Sequence, residues 1–188
     1  MIDEMKLRTV ILRRVAALAG LLIGPAVVPG VAGTLAWAGQ ASTTQDRSLE
    51  SAFRTCVGLY GDPLAGALMR TISDPATRKT FEAEHAQIVS SLQIERDHDY
   101  ATVTAKLRGG ISIAGIPVRA MYASTCELDC PLAVWGLELG SLKPEQLRQL
   151  KGWVASAPAT HTDVHGDIKV QLGTTPEGES LLVCDVSG

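Results

Sequence analysis

An uncharged run from Val15 to Ala38 constrains this chain more than any other feature. Lys6, Arg8, Arg13 and Arg14 precede it, and Ala36-Trp37-Ala38 closes it with small residues at the spacing a signal peptidase accepts. A basic head stays at the inner membrane surface while the apolar run enters the bilayer, so everything after Ala38 is sent across. The sequence thus predicts a signal peptide over 1–38, cleaved after Ala38, and a mature chain that is periplasmic or secreted. Asp3 and Glu4 blunt the basic head, which leaves Met1 and Met5 as alternative starts. The run is also long enough to span a membrane, so an uncleaved anchor is the alternative. Pro25, Pro29 and the glycines of the run weaken it as a permanent helix. Membrane contact is then confined to the transient signal segment.

Of the 188 residues, 150 follow Ala38, enough for one domain with its own core. The small, polar stretch 39–47 reads as a flexible tether, and 48–188 as a single domain. Without the four basic and two acidic residues of the leader, 17 basic and 20 acidic residues become 13 and 18, a formal net of −5. Binding to a phosphate backbone needs several Lys or Arg on one face, and no basic cluster is present. Nucleic acid is not expected as a partner.

The domain opens with helical spacing. Leu49, Ala52, Phe53, Cys56, Val57 and Tyr60 recur every three or four residues, predicting a helix from about Ser48 to Gly61. Asp62-Pro63 and Asp74-Pro75 each pair an N-cap with a proline at the first helical position, starting a second and a third helix. Phe81, His85, Ile88, Val89 and Leu92 carry the third to about Ser91. After Asp99 the period becomes two: Ala101, Val103, Ala105 and Leu107 alternate with Tyr100, Thr102, Thr104 and Lys106. Gly109-Gly110 reads as the turn of a hairpin whose second arm runs from Ile111 towards Tyr122, with a bulge or edge position at Gly115 and Pro117. Further strands are expected at Ala133–Leu139, at Ile168–Leu172 and at Leu181–Val186, with a helix from Pro144 carrying Leu147, Leu150, Trp153 and Val154. The order αααβββαββ predicts an α+β domain whose helices lie on one face of an antiparallel sheet of about five strands.

Four cysteines, an even number, read most simply as two disulfides in an exported chain. Three pairings are open to sequence reasoning. Cys126 with Cys130 would close a small ring, and Cys56 with Cys184 would tie the two ends of the domain together. That long-range bridge would stabilise by about 4–5 kcal/mol through loop closure.

The same residues carry a different chemistry in the stretch Thr125-Cys126-Glu127-Leu128-Asp129-Cys130-Pro131, a Cys-x-x-x-Cys-Pro box after a strand. Over these seven residues the chain resembles the copper-binding box of Sco-type copper-delivery proteins. The resemblance implies two thiolates and a downstream histidine around copper on a thioredoxin-like fold, and soft sulfur suits Cu(I). It departs from that family where Leu132 to Leu139 reads as strand in place of helix, and where Glu127 and Asp129 oppose a lowered thiol pKa. His161 and His165 bracket Thr162-Asp163-Val164 and are the further candidate ligands for copper or zinc. Pro158 and Gly166 flank them, so a solvated loop is the competing interpretation. Asp97-His98-Asp99 reads as a charged turn, and His85 as a neutral histidine against the core.

The sequence contains no Gly-x-Ser-x-Gly elbow, His-Glu-x-x-His, phosphate-binding glycine loop or dinucleotide fingerprint. No catalytic residue and no cofactor is therefore expected. The expectation is a non-enzymatic binding or inhibitor-type module for another extracytoplasmic protein, meeting it through loops 125–132 and 157–166. The alternative is a metal- or thiol-handling protein built on Cys126 and Cys130.

Overall fold

The computed structural model describes residues 44–97, 99–126, 133–162, 166–175 and 177–186, within a compact unit spanning 42–188. It is a mixed α+β fold: helices together with a six-stranded antiparallel sheet. The helices are α1 (Thr44–Thr55), α2 (Ala65–Arg70), α3 (Pro75–Glu84) and α4 (Pro144–Ser156). The strands are β1 (Val89–Asp97), β2 (Tyr100–Leu107), β3 (Ser112–Ile113), β4 (Ile116–Pro117), β5 (Ala120–Cys126), β6 (Ala133–Gly140), β7 (Thr160–Thr162), β8 (Gly166–Ile168), β9 (Gln171–Thr174) and β10 (Ser180–Asp185). The main sheet has the order β1-β2-β5-β6-β10-β9; β3-β4 and β7-β8 are small separate hairpins.

Helix α1 begins at Thr44, inside the stretch read as tether, and ends at Thr55, short of Gly61. The cause of the early end lies at Cys56, whose φ of 60° is left-handed and cannot continue a right-handed helix. A 3-10 turn, Gly58–Tyr60, follows. Val57 and Tyr60, expected on the buried stripe, are consequently exposed, while Leu49, Phe53 and Leu59 are fully buried. The Asp62 carboxylate then organises the next start: one oxygen accepts from the Leu64 and Ala65 N–H groups at 2.9 Å, the other from the Ser48 hydroxyl at 2.8 Å. At α3 the cap is Asp74, which accepts from the Ala76 and Thr77 N–H groups ahead of a first-turn proline.

The third helix stops at Glu84, and Val89–Asp97 is a strand where the helical spacing of Ile88, Val89 and Leu92 predicted helix. A register shift between Val89 and Ser91 explains the disguise. The extra residue turns one interval of two into an interval of three, so Val89, Leu92 and Ile94 all face inward at a spacing that looks helical. The sheet therefore has six strands, one more than the five expected. Strand β2 does pair with the chain that follows, but its partner is Ala120–Cys126, with Lys106 opposite Ala120. Residues 111–118 leave the sheet to form the β3-β4 hairpin, whose turn residues Ala114 and Gly115 have φ of 50° and 71°. Two left-handed residues in succession fit the two-residue turn whose twist matches paired strands.

Every second residue of the sheet faces the helices: Leu92, Val103, Ala105, Met121, Ala123, Trp135, Leu137, Leu182 and Cys184 join Leu49, Phe53, Leu64 and Leu68 in one continuous core. Trp135 is its largest fully buried side chain, and its indole N–H donates to the Ala65 carbonyl at 3.2 Å. Helix α4 is tied to α1 and to the β3-β4 turn by polar contacts. The Trp153 indole donates to Glu50 at 2.9 Å, and Gln149 donates to the Ala114 carbonyl at 2.7 Å. At the sheet edge, the Arg78 guanidinium donates to the Leu92 carbonyl, a charged plug of the kind that discourages edge-to-edge pairing.

Candidate functional site

Cys56 and Cys184 form a disulfide with 5.4 Å between Cα atoms and 128 residues between them in sequence. It joins the end of α1 to the last strand, and both residues are buried. The two sulfurs lie 3.7 and 3.4 Å from the Phe53 carbonyl oxygen. Cys126, the last residue of β5, is also disulfide-bonded. Cys130, with the rest of the box from Glu127 to Leu132, lies outside the described residues. An oxidised Cys126 offers no thiolate to copper or zinc, and Ala133–Gly140 continues as a strand of an antiparallel sheet. Neither feature matches the arrangement implied by the Sco-type resemblance.

His161 lies on β7, paired with β8, so the segment is a small hairpin and its side chain is solvated. Its Nδ1 is 2.9 Å from Asp167 Oδ1, with both side chains about three-quarters exposed (73% and 74%), an arrangement worth little energy. His165 and His98 lie outside the described residues, as do 127–132 and 163–165 of the two expected contact loops. His85 is half-buried against Phe81, with ring centroids 4.6 Å apart. Desolvation holds its pKa below the usual imidazole value, against the opposing pull of Glu84 and Asp62. His85 thus sits at the edge of the core, where desolvation favours its neutral form.

The feature that sequence reasoning missed lies on the sheet face opposite the helices. Register places Thr104, Tyr122, Gly136 and Val183 in one row across β2, β5, β6 and β10. Glu138 and Leu181 share the neighbouring row on one side, Val134 and Asp185 the row on the other. Tyr122, Val134 and Leu181 form a second apolar cluster, with Val183 packed against it, separate from the main core. The Tyr122 ring lies across Gly136, where a Cβ would overlap both ring and hydroxyl. Glycine inside a strand commonly marks such a close approach, so Gly136 was the signal available in the sequence.

Tyr122 is 8% exposed, and its buried hydroxyl has no hydrogen-bond partner among the described residues. Burial raises its pKa above the ordinary phenol value, and the Glu138 and Asp185 charges add to the rise. Glu138 is half-buried and has its own pKa raised, first by desolvation, then by Glu179, against a lowering by Lys106. Beside it the Arg119 guanidinium lies over Gly140 and pairs with Glu179 at 3.4 Å. Among the described residues no cation pairs directly with Glu138. No protein-family model, curated protein or solved structure matches the chain.

Proposed function

We propose that this chain is an exported, disulfide-braced α+β module, a single domain opening with helices behind a cleaved leader, which acts by binding another extracytoplasmic protein. The observation that carries the reading is the buried Cys56–Cys184 link between α1 and β10. Such a bond persists in an oxidising compartment and is rare where glutathione and thioredoxin keep thiols reduced. The uncharged run 15–38 behind a basic head gives the same direction from an independent feature. The disulfide state of Cys126 draws the box at 126–130 towards bracing and away from thiol or metal chemistry. The contact regions are loops 125–132 and 157–166, because loops carry recognition.

Fractionation of cells producing the full chain, with alkylation before lysis and intact-mass measurement, tests this reading. The expected product is shortened at Ala38, extracytoplasmic and free of alkylated thiols. An intact product in the cytosol with four alkylated cysteines overturns it.

A further inference from the structure

Strand β1 is the outermost of the main sheet and pairs with β2 alone, and that pairing fixes which of its backbone groups face outward. Leu107 donates its N–H to the Arg119 carbonyl, so Ala105, Val103 and Ala101, at every second position of β2, turn their N–H and C=O towards β5. Their partners across the other ladder, Leu92, Ile94 and Arg96, therefore turn theirs away from β2, to the open side of the sheet. Such an outward row is a template for another strand. At Leu92 the carbonyl is occupied by the Arg78 guanidinium of α3 at 3.2 Å, whereas the outward groups of Ile94 have no partner among the described residues. Glu82, one turn further along α3, holds Arg78 from the other side, with 3.5 Å between Arg78 Nε and Glu82 Oε1. Beyond this stretch the Arg96 guanidinium donates to the Ile72 carbonyl at 2.7 Å and fastens the strand to the turn before α3.

We propose that the edge of β1 is a pairing surface for a second copy of this chain, and that Arg78 keeps it closed. Two copies of β1 related by a two-fold axis at Gln93 place Leu92 opposite Ile94 of the second copy, and each such pair exchanges two N–H···O=C bonds. The Leu92 carbonyl is an acceptor this ladder needs, and it is the one that Arg78 covers. An incoming strand must displace the guanidinium or bury its charge without a partner. The side chains permit this register. Ser91, Gln93 and Glu95 are exposed on the outer face, where Gln93 meets its own copy and Ser91 meets Glu95, so no like charges stand opposite each other. Arg96, fastened to Ile72, stays outside the new ladder, which ends at the bulge between Val89 and Ser91. The inference goes beyond the reading of this chain as a binding module and does not rest on it.

Sedimentation equilibrium of the oxidised protein, with backbone amide shifts to locate the contact, tests it. The unsubstituted protein is expected to stay monomeric and Arg78→Ala to self-associate. Two guards are lifted per dimer, each a charge-assisted bond worth about tenfold, so the dimer dissociation constant falls by about a hundredfold. Concentration-dependent shifts in the variant centre on residues 91–95. Arg78→Met, which keeps an unbranched stem and lacks a donor, behaves in the same way, so a folding defect peculiar to the alanine variant leaves the test standing. Adding Gln93→Lys to either variant sets two ammonium groups face to face at the axis and restores the monomer. The proposal is overturned by variants that remain monomeric, by an unsubstituted protein that dimerises as tightly, or by a dimer that survives Gln93→Lys or shifts residues away from β1.

Discussion

Removing the Cys56–Cys184 bond should cost this domain a large part of its stability, and the structure gives the size of the effect. The two residues are 128 apart in sequence, so loop closure in the unfolded chain is worth about 5 kcal/mol at 25 °C. Two corrections follow from the site. Cys56 holds φ at 60°, a left-handed conformation that costs a residue with a Cβ about 1–2 kcal/mol, and cutting the link lets the backbone relax. In the opposite sense, both sulfurs are buried, and trimming them to methyl groups leaves a small void worth about 1 kcal/mol. The expected net loss for Cys56→Ala with Cys184→Ala is about 4 kcal/mol, against a total of about 5–15 kcal/mol for an ordinary domain. Urea unfolding of the oxidised protein and of the double variant measures it directly, and the variant should also show a steeper dependence on urea because its unfolded chain is more open. A loss under about 1 kcal/mol would refute the loop-closure argument.

Other substitutions probe the remaining features. Tyr122→Phe should raise stability by about 1 kcal/mol in urea unfolding, because it deletes a buried hydroxyl that has no partner; a loss of that size would show that the hydroxyl is satisfied. Gly136→Ala should destabilise by about 1–3 kcal/mol through overlap with the Tyr122 ring, and adding Tyr122→Ala should remove that specific clash in a double-mutant cycle. The raised pKa of Glu138 means that the folded state prefers its protonated form, so its charge opposes folding once pH rises through the folded value, and the penalty is absent below the ordinary 4.5. Glu138→Gln should therefore raise the urea midpoint at pH 7 and leave it unchanged below pH 4.5; an equal effect at both would contradict the assigned cause. Asp62→Ala should cost about 2 kcal/mol in the same assay by freeing the Leu64 and Ala65 N–H groups and the Ser48 hydroxyl, with Asp62→Asn recovering much of it.

Where a single local rule governed an element, its sequence was readable. Trp135, Leu137 and Leu139 alternate along β6 because the strand lies in the middle of the sheet, and Pro144 opens α4 because an orphan N–H is lost there at no cost. Asp74 is the cap its spacing suggested, whereas the helix after Asp62 begins only at Ala65 with Leu64 at its N-cap, and Asp62 instead holds the preceding turn through the Leu64 and Ala65 N–H groups. The errors fall where two rules compete. Helical spacing continued past Thr55 into Cys56, Val57 and Tyr60, but the left-handed backbone at Cys56, joined by its sulfur to β10, broke the helix. No local pattern contains that information, since the partner strand is at the other end of the domain. The bulge near Ser90 likewise turned a strand's period of two into an apparent helical interval, hiding β1 and shortening the expected sheet.

The candidate site was illegible for a related reason. In sequence, Tyr122 is one aromatic residue on a strand and Gly136 one interruption in another, and neither carries a motif. Their meaning comes from register: only when Tyr122 stands opposite Gly136 does the ring lie flat on the neighbouring strand, with its hydroxyl between the rows of Glu138 and Asp185. A one-residue slip would turn both side-chain positions to the helix face, so the pairing that buries Met121, Ala123, Trp135 and Leu137 in the core also fixes this corner. The two faces of the sheet thus divide the work. The inner face satisfies its polar groups, as Trp135 does with the Ala65 carbonyl, and supplies stability, while the outer face buries a hydroxyl that has no hydrogen-bond partner among the described residues beside the half-buried Glu138.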